Sequence, residues 1–496
     1  MQRVLSSLAS LASLEAVRAQ GLPPCTELPT SVPLPAPHSH FYMADNLTYL
    51  NVGSLGPSPR ASVDCAMLQW TWLEANKVSR YSWSGGIPET VRAMAADMLG
   101  ENISLDELAH FPSTTSALNA VANGLASSGF LSAANWSSGQ PPRVLTTDQE
   151  HAGGVAAWQH YVRAGMLSGL DTVAVGAPPA SVDTVVADFA AALGAVPNRT
   201  YAVLCVSHVL TTTGLRLPLP RLAALARAHG ALLVVDGAQA PGNIDVRLDL
   251  TGADAYTVSA HKCTPLPASG EPCPHAMPDV CFGERQGCWR RQAAGCCTCA
   301  TRHGPSSSPR ISTVVLARVR FRRTPDVCPH SVGASLIPCA PDTLPVADTA
   351  CTGTTPLQTL AGLGYSLAYI GGMGGLPALA GHNARLYARS YALLLREPRV
   401  TMLSAPPGSG LESALLSFAI ACNATNSAVA HALSTEHAIV VKTLPDGEGG
   451  TPLVRNALRI SHHAFNSEVQ MESFAWALSL VLSSMNCSMP DASVQM

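Results

Sequence analysis

ALLVVDGAQAPGNIDVRLDLTGADAYTVSAHK, residues 231–262, decides how this chain is read. Residues 231–235 form an apolar run that ends on Asp236, and Gln239 stands three positions later. A second short run, 255–258, ends in Ser259-Ala260-His261-Lys262. Both runs have the length and composition of buried strands. An acid therefore closes one strand, and a lysine preceded by hydroxyl and imidazole donors closes the next. Singly, Asp236 reads equally well as a turn residue and Lys262 as a surface lysine. As a spaced set they mark a binding site.

That set suits pyridoxal phosphate. A carboxylate at Asp236 would keep a pyridine nitrogen protonated, so that the ring acts as an electron sink. Lys262 would carry the Schiff base, and Ser259 and His261 would help hold the phosphate.

Working outward, 143–148, 172–175 and 201–209 read as strands, with helices over 153–164, 182–193 and 219–229 between and after them. Strands alternating with helices of 10–15 residues predict an α/β fold with a mostly parallel, doubly wound sheet. Ligands of such sheets lie at the carboxyl ends of strands, where Asp236, Lys262 and His151 fall. Strand-like sequence returns at 312–321. Beyond residue 356 come helices (357–370, 376–395), a strand (414–421), a helix (428–435), a strand (457–461) and a helix (468–482), which predict a smaller C-terminal α/β domain. The division expected is an N-terminal segment 41–84 packed on the small domain, a large domain 85–355 and a small domain 356–485.

With 496 residues, 47% hydrophobic and 13% charged, the chain has the composition of a large globular enzyme. A formal net charge of -3 gives no reason to expect nucleic acid as partner, and no run approaches the ~20 apolar residues of a membrane span. Residues 1–20, MQRVLSSLASLASLEAVRAQ, read as a signal peptide or a transit peptide. Six Asn-x-Ser/Thr sites, at Asn46, Asn102, Asn135, Asn198, Asn423 and Asn486, exceed the roughly two or three expected by chance and favour the secretory pathway or an extracellular location over an organellar or cytoplasmic one. Of fifteen cysteines, seven fall within 263–299 at irregular spacing, so no metal site is expected. The Cys-, Pro- and Gly-rich stretch 263–310 reads as an irregular insertion, either disulfide-knotted or without fixed structure.

The motifs together resemble the class V aminotransferase family of fold-type-I pyridoxal-phosphate enzymes, in the branch of isopenicillin N epimerase-like proteins related to cysteine desulfurases. The resemblance runs over about 41–482, interrupted by the insertion. It is carried by YLNVGSLG (49–56), FPSTTSALN (111–119), TTDQEHAGG (146–154), Asp236-Gly237-Ala238-Gln239, Ser259–Lys262 and LRISHHAFN (458–466). It implies that Thr114 and Thr115 open a phosphate-binding helix, that His151 stacks on the cofactor ring, and that Gln239 and Thr211 lie near the ring's phenolic oxygen. It implies further that Thr354 reaches the phosphate of a neighbouring subunit in a homodimer. Arg459 would take the α-carboxylate of an amino-acid-like substrate, for which a guanidinium fork is suited.

The implied activity acts on an amino acid or peptide amine through an external aldimine and a quinonoid, with Lys262 as the base at the α-carbon. Its outcome is epimerisation or carbon–sulfur cleavage, with amino transfer as an alternative. Residues 443–452 contain no cysteine, which argues against a typical cysteine desulfurase. A catalytically degraded, secreted scaffold that keeps the fold is the reading from a different class. Retention of Asp236, Gln239, His151, Ser259 and His261 weighs against it.

Overall fold

The computed structural model describes residues 25, 31–76, 87–136, 139–179, 181–260, 315–319 (backbone only), 356–444 and 456–487. The leader-like segment 1–20, the insertion 263–310, His261, Lys262 and Thr354 lie outside the described residues.

In chain order the strands are β1 (Thr48–Tyr49), β2 (Leu108–Phe111), β3 (Arg143–Thr147), β4 (Gly169–Val173), β5 (Tyr201–Ser207), β6 (Leu232–Gly237), β7 (Ala255–Ser259), β8 (Val315–Val319), β9 (Val400–Met402), β10 (Leu415–Ile420), β11 (Ile439–Val440), β12 (Lys442–Thr443) and β13 (Ala457–Ser461). The main helices are α1 (Arg60–Asn76), α2 (Ile87–Leu99), α3 (Thr114–Ser127), α4 (Ala152–Arg163), α5 (Val182–Gly194), α6 (Leu219–Ala228), α7 (Leu357–Gly372), α8 (Gly375–Leu394), α9 (Asn426–His437) and α10 (Glu468–Ser484).

The large sheet has seven strands in the order β2-β8-β7-β6-β5-β3-β4. From β7 to β4 all pairs are parallel, while β8 runs antiparallel to both β7 and β2. The α/β fold with a mostly parallel sheet is thus present. β5 shows why: all seven of its residues are buried, as a strand covered by helices on both faces must be. The register sets Ser207 beside Asp236, and Asp236 beside Thr257, so these side chains share the carboxyl edge.

A four-stranded sheet, β12-β13-β10-β9, is antiparallel and packs with α8, α9 and α10 around Leu416, Phe418, Leu458, Ile460, Phe474 and Leu478. The N-terminal β1 pairs in parallel with β11, and Leu50 joins the same core. Helix α7 buries Leu360 and Leu363 in the core of the large sheet. Helix starts follow local chemistry. Ser113, Ser181 and Thr425 each cap their helix by accepting from a backbone N–H, and Ser467 with Gln470 forms a capping box at α10.

The two sheets meet at the turn Thr211–Gly214. Arg459 Nη1 donates to Thr211 O at 2.6 Å, and Ser417 Oγ to Thr212 O at 2.6 Å. Ser404 Oγ donates to Thr213 O at 2.5 Å, and Ser413 Oγ to Gly214 O at 2.7 Å. Gly214 adopts a φ of +70°, and a Cβ there would strike the backbone of Leu415, so only glycine fits.

Candidate active site

Three elements converge on the carboxyl edge of the large sheet. The first is β6, which ends at Asp236. This side chain is 6% exposed, and its Oδ1 accepts from Ala238 N at 2.8 Å. The second is the start of α4. His151 is its N-cap, with Nδ1 accepting from Gly153 N at 3.0 Å, which leaves the ring proton on Nε2; the imidazole is exposed. The third is the start of α3. Ser113 caps it by accepting from Ser116 N at 3.0 Å, which leaves other first-turn N–H groups without intrahelical partners.

Two glycines let these elements close up. A Cβ on Gly153 would sit 2.5 Å from Thr115 Oγ1 and 3.2 Å from His151 Nδ1. A Cβ on Gly154 would sit 3.1 Å from Asp236 Oδ2. Any side chain there would displace Thr115 or press on the acid. Thr114 Oγ1 is buried without a hydrogen-bond partner. Such a hydroxyl costs about 1–3 kcal/mol unless something satisfies it. A helix N-terminus with its dipole, an unsatisfied hydroxyl beside it and an acid facing across a glycine are what a phosphorylated pyridine requires, so the described residues fit pyridoxal phosphate.

Glu150 is a member of this site that sequence reasoning gave no role. Its Oε1 accepts from Thr147 Oγ1 at 2.8 Å, and its carboxylate takes Ser207 N at 3.0 Å and Ser207 Oγ at 2.5 Å. Burial pushes its pKa up to about 7; the hydrogen bonds from Ser207 and Thr147 oppose that rise, and the charge of Asp236 adds to it. Cys205, beneath it on β5, is buried, and desolvation raises its thiol well above the usual range, so it is an inert thiol. Asp148 points elsewhere and accepts Val175 N at 3.1 Å.

A second cluster adjoins the first. Gln239 Nε2 donates to Gly53 O at 2.8 Å and to Thr211 Oγ1 at 3.1 Å, and its Oε1 is buried without a partner. Arg459 is 2% exposed on β13, and its Nη1 donates to Thr211 Oγ1 at 2.9 Å as well as to Thr211 O. Gly53 passes so close that a Cβ would lie 2.9 Å from Arg459 Nη2. Ser461 Oγ accepts from Gly53 N at 2.9 Å and fixes that loop.

The structure therefore brings together Thr114, Thr115, His151 and Asp236 in one group, and Thr211, Gln239 and Arg459 in another. Ser259 ends β7 on the same edge and is buried. Sequence reasoning missed Glu150, Gly153 and Gly154. The Gly-Gly pair that follows His151-Ala152 was the available signal for close approach.

An acid at the end of a parallel strand, opposite two helix N-termini, defines an α/β enzyme that binds a phosphorylated small molecule at its sheet edge. Residues 74–267 match the model of the aminotransferase class-V family. It is 29% identical to isopenicillin N epimerase of Amycolatopsis lactamdurans over 456 residues, covering 87% of this chain and 94% of that protein. It is 33% identical to a cysteine desulfurase of Klebsiella pneumoniae over 175 residues, 35% of this chain and 39% of that one. In structure it resembles the cystine C–S lyase C-DES, solved with its product cysteine persulfide. The TM-score is 0.64 at 16% identity, covering 88% of this chain and 98% of the lyase.

Proposed function

We propose that this chain is a pyridoxal-phosphate enzyme acting on an amino acid or peptide amine, by epimerisation or carbon–sulfur cleavage. The observation that carries this reading is the approach of Asp236 Oδ2 to the first turn of α4 across Gly154, beside the unsatisfied Thr114 hydroxyl. When bound, the cofactor supplies an electron-accepting ring and an aldehyde carbon for the substrate amine.

The chain's own residues do the rest. Asp236 holds a proton at the pyridine nitrogen. Thr114 and Thr115, with the N-terminus of α3, hold the phosphate, joined by Ser259 and His261 and, from a neighbouring subunit of a homodimer, Thr354. His151 covers a ring face. Gln239 presents its carbonyl Oε1, because Nε2 is engaged by Gly53 and Thr211. Contact with the phenolic oxygen therefore requires the proton to lie on that oxygen. Arg459 orients the substrate α-carboxylate, and Thr211 fixes the guanidinium. Lys262 moves the proton at the α-carbon.

The similarity to isopenicillin N epimerase supports the first reaction, and the likeness to a cystine C–S lyase supports the second. The absence of cysteine from 443–452 weighs against desulfuration. Lys262→Ala tests the assignment. The variant is expected to fold normally and to lose the visible absorbance of covalently held cofactor that borohydride bleaches. Persistence of that band would move the role to another lysine.

A further inference from the structure

Six of the fifteen asparagines stand in Asn-x-Ser/Thr, and all six are exposed: Asn46, Asn102, Asn135, Asn198, Asn423 and Asn486. None lies inside an α-helix or a strand. The eight other asparagines whose side chains are described behave differently. Four are buried, two are half-buried, and only Asn119 and Asn123, both on α3, are exposed. The motif therefore lies on exposed turns and a 3-10 segment and has avoided every buried asparagine among the described residues; at Asn135 alone a sugar would replace a hydrogen bond, from Nδ2 to Gly129 O at 2.7 Å.

A second observation is independent of the first. Of the five described cysteines, four are paired: Cys25 with Cys65, and Cys422 with Cys487, at Cα separations of 5.0 and 4.5 Å. The fifth, Cys205, is shut inside β5. Disulfides that close loops of 40 and 65 residues persist in oxidising compartments and not in a reducing cytosol. The two observations meet at one place. Asn423 follows Cys422 directly and Asn486 precedes Cys487, so groups on these asparagines would stand on either side of one disulfide. Residues 1–20 read as a signal peptide or a transit peptide, and the first of these leads to the same compartment.

We propose that the protein is a disulfide-bonded N-glycoprotein of the secretory pathway, with oligosaccharide on Nδ2 of these six asparagines. The donor is a polyprenyl-pyrophosphate-linked oligosaccharide. The new bond joins Nδ2 to C1 of the first sugar, and the bond from C1 to the pyrophosphate oxygen breaks. Polyprenyl pyrophosphate leaves with the electron pair, and the amide gives up one proton. Each disulfide forms when two thiols pass two electrons and two protons to a disulfide-bearing oxidant of that compartment.

The test is to produce the full chain, with its own N-terminus, in cultured eukaryotic cells. The protein is digested without reductant and treated with peptide N-glycosidase in heavy-oxygen water, which turns each glycosylated asparagine into labelled aspartate. The expected result is label at the six named positions, none at Asn119 or Asn123, and linked peptides for Cys25–Cys65 and Cys422–Cys487. Label at fewer than half of the six sites overturns the proposal. So does alkylation of the four cysteines without prior reduction.

Discussion

At the carboxyl edge of the large sheet, Thr114 Oγ1 and Gln239 Oε1 are buried without partners, and Asp236 and Glu150 crowd the same edge. At the end of β13, by contrast, His462 has both ring nitrogens engaged, by Ser390 Oγ at 2.8 Å and Ala414 O at 2.9 Å. Nearby, Asn426 Nδ2 donates to Leu444 O and Ala457 O. Both regions bury polar side chains at strand ends. His462 and Asn426 complete their hydrogen bonds and hold the fold; Thr114 and Gln239 each leave an atom open, and the family match covers both of the latter. In this pair of clusters the open atoms accompany the candidate site and the satisfied ones the polar core.

The largest effect expected from this contrast is on the open side. Asp236→Asn removes the charge that faces the ring nitrogen and should lower turnover by about a thousandfold or more while leaving cofactor bound, since electrostatic partners of reacting groups carry effects of this size. Steady-state rates with cofactor absorbance monitored in parallel check this, and near-normal turnover breaks the contrast. Next, Gly153→Val forces a branched side chain against Thr115 and His151. Cofactor affinity should fall about tenfold or more with little loss of stability, as read by equilibrium titration and thermal unfolding.

On the closed side the signs reverse. Ser390→Ala strands His462 Nε2 and should cost about 1–3 kcal/mol of stability with kcat unchanged. Denaturant unfolding measures the first and the standard assay the second. A loss of activity without a loss of stability would show that the two regions are not separable in this way.

A further effect is in pH, and it bears on stability alone. Burial raises the Glu150 pKa to about 7, above the usual carboxylate value, so the folded cofactor-free protein holds this proton more tightly than the unfolded chain. Its contribution to stability is fully present below about pH 4.5 and is lost as pH rises through 7, by up to about 1.4 kcal/mol per unit. Glu150→Gln abolishes that slope, so wild type minus variant should fall between pH 4.5 and 7 and then level off. His462 has the opposite sign: burial lowers its pKa to about 4, and the stability it carries above pH 6.5 is lost as pH falls. A flat difference for Glu150→Gln would place that carboxylate in water.

How much of this was legible in the chain follows from how local each signal is. β5 and β6 announce themselves as unbroken apolar runs, and Asp236 and Gln239 as a pair fixed by the turn after β6. The helices over 182–194, 219–228 and 468–484 are bounded by their own caps and prolines. The role of Glu150 was not readable. In TTDQEH it resembles any solvated acid, and its partner Ser207 lies 57 residues away. The antiparallel entry of β8 between β2 and β7 was equally hidden, because register with β2 depends on residues more than two hundred positions earlier in the chain. The match of Arg459 to Thr211 spans 248 residues and was reachable only through the family resemblance.

The turn Thr211–Gly214 carries a consequence for how the two sheets can move against each other. All four of its carbonyls are taken by donors from the C-terminal sheet. Prising the two sheets apart along this seam would expose four acceptors and Arg459 at once. Relative movement of the two sheets that keeps this seam closed therefore costs least.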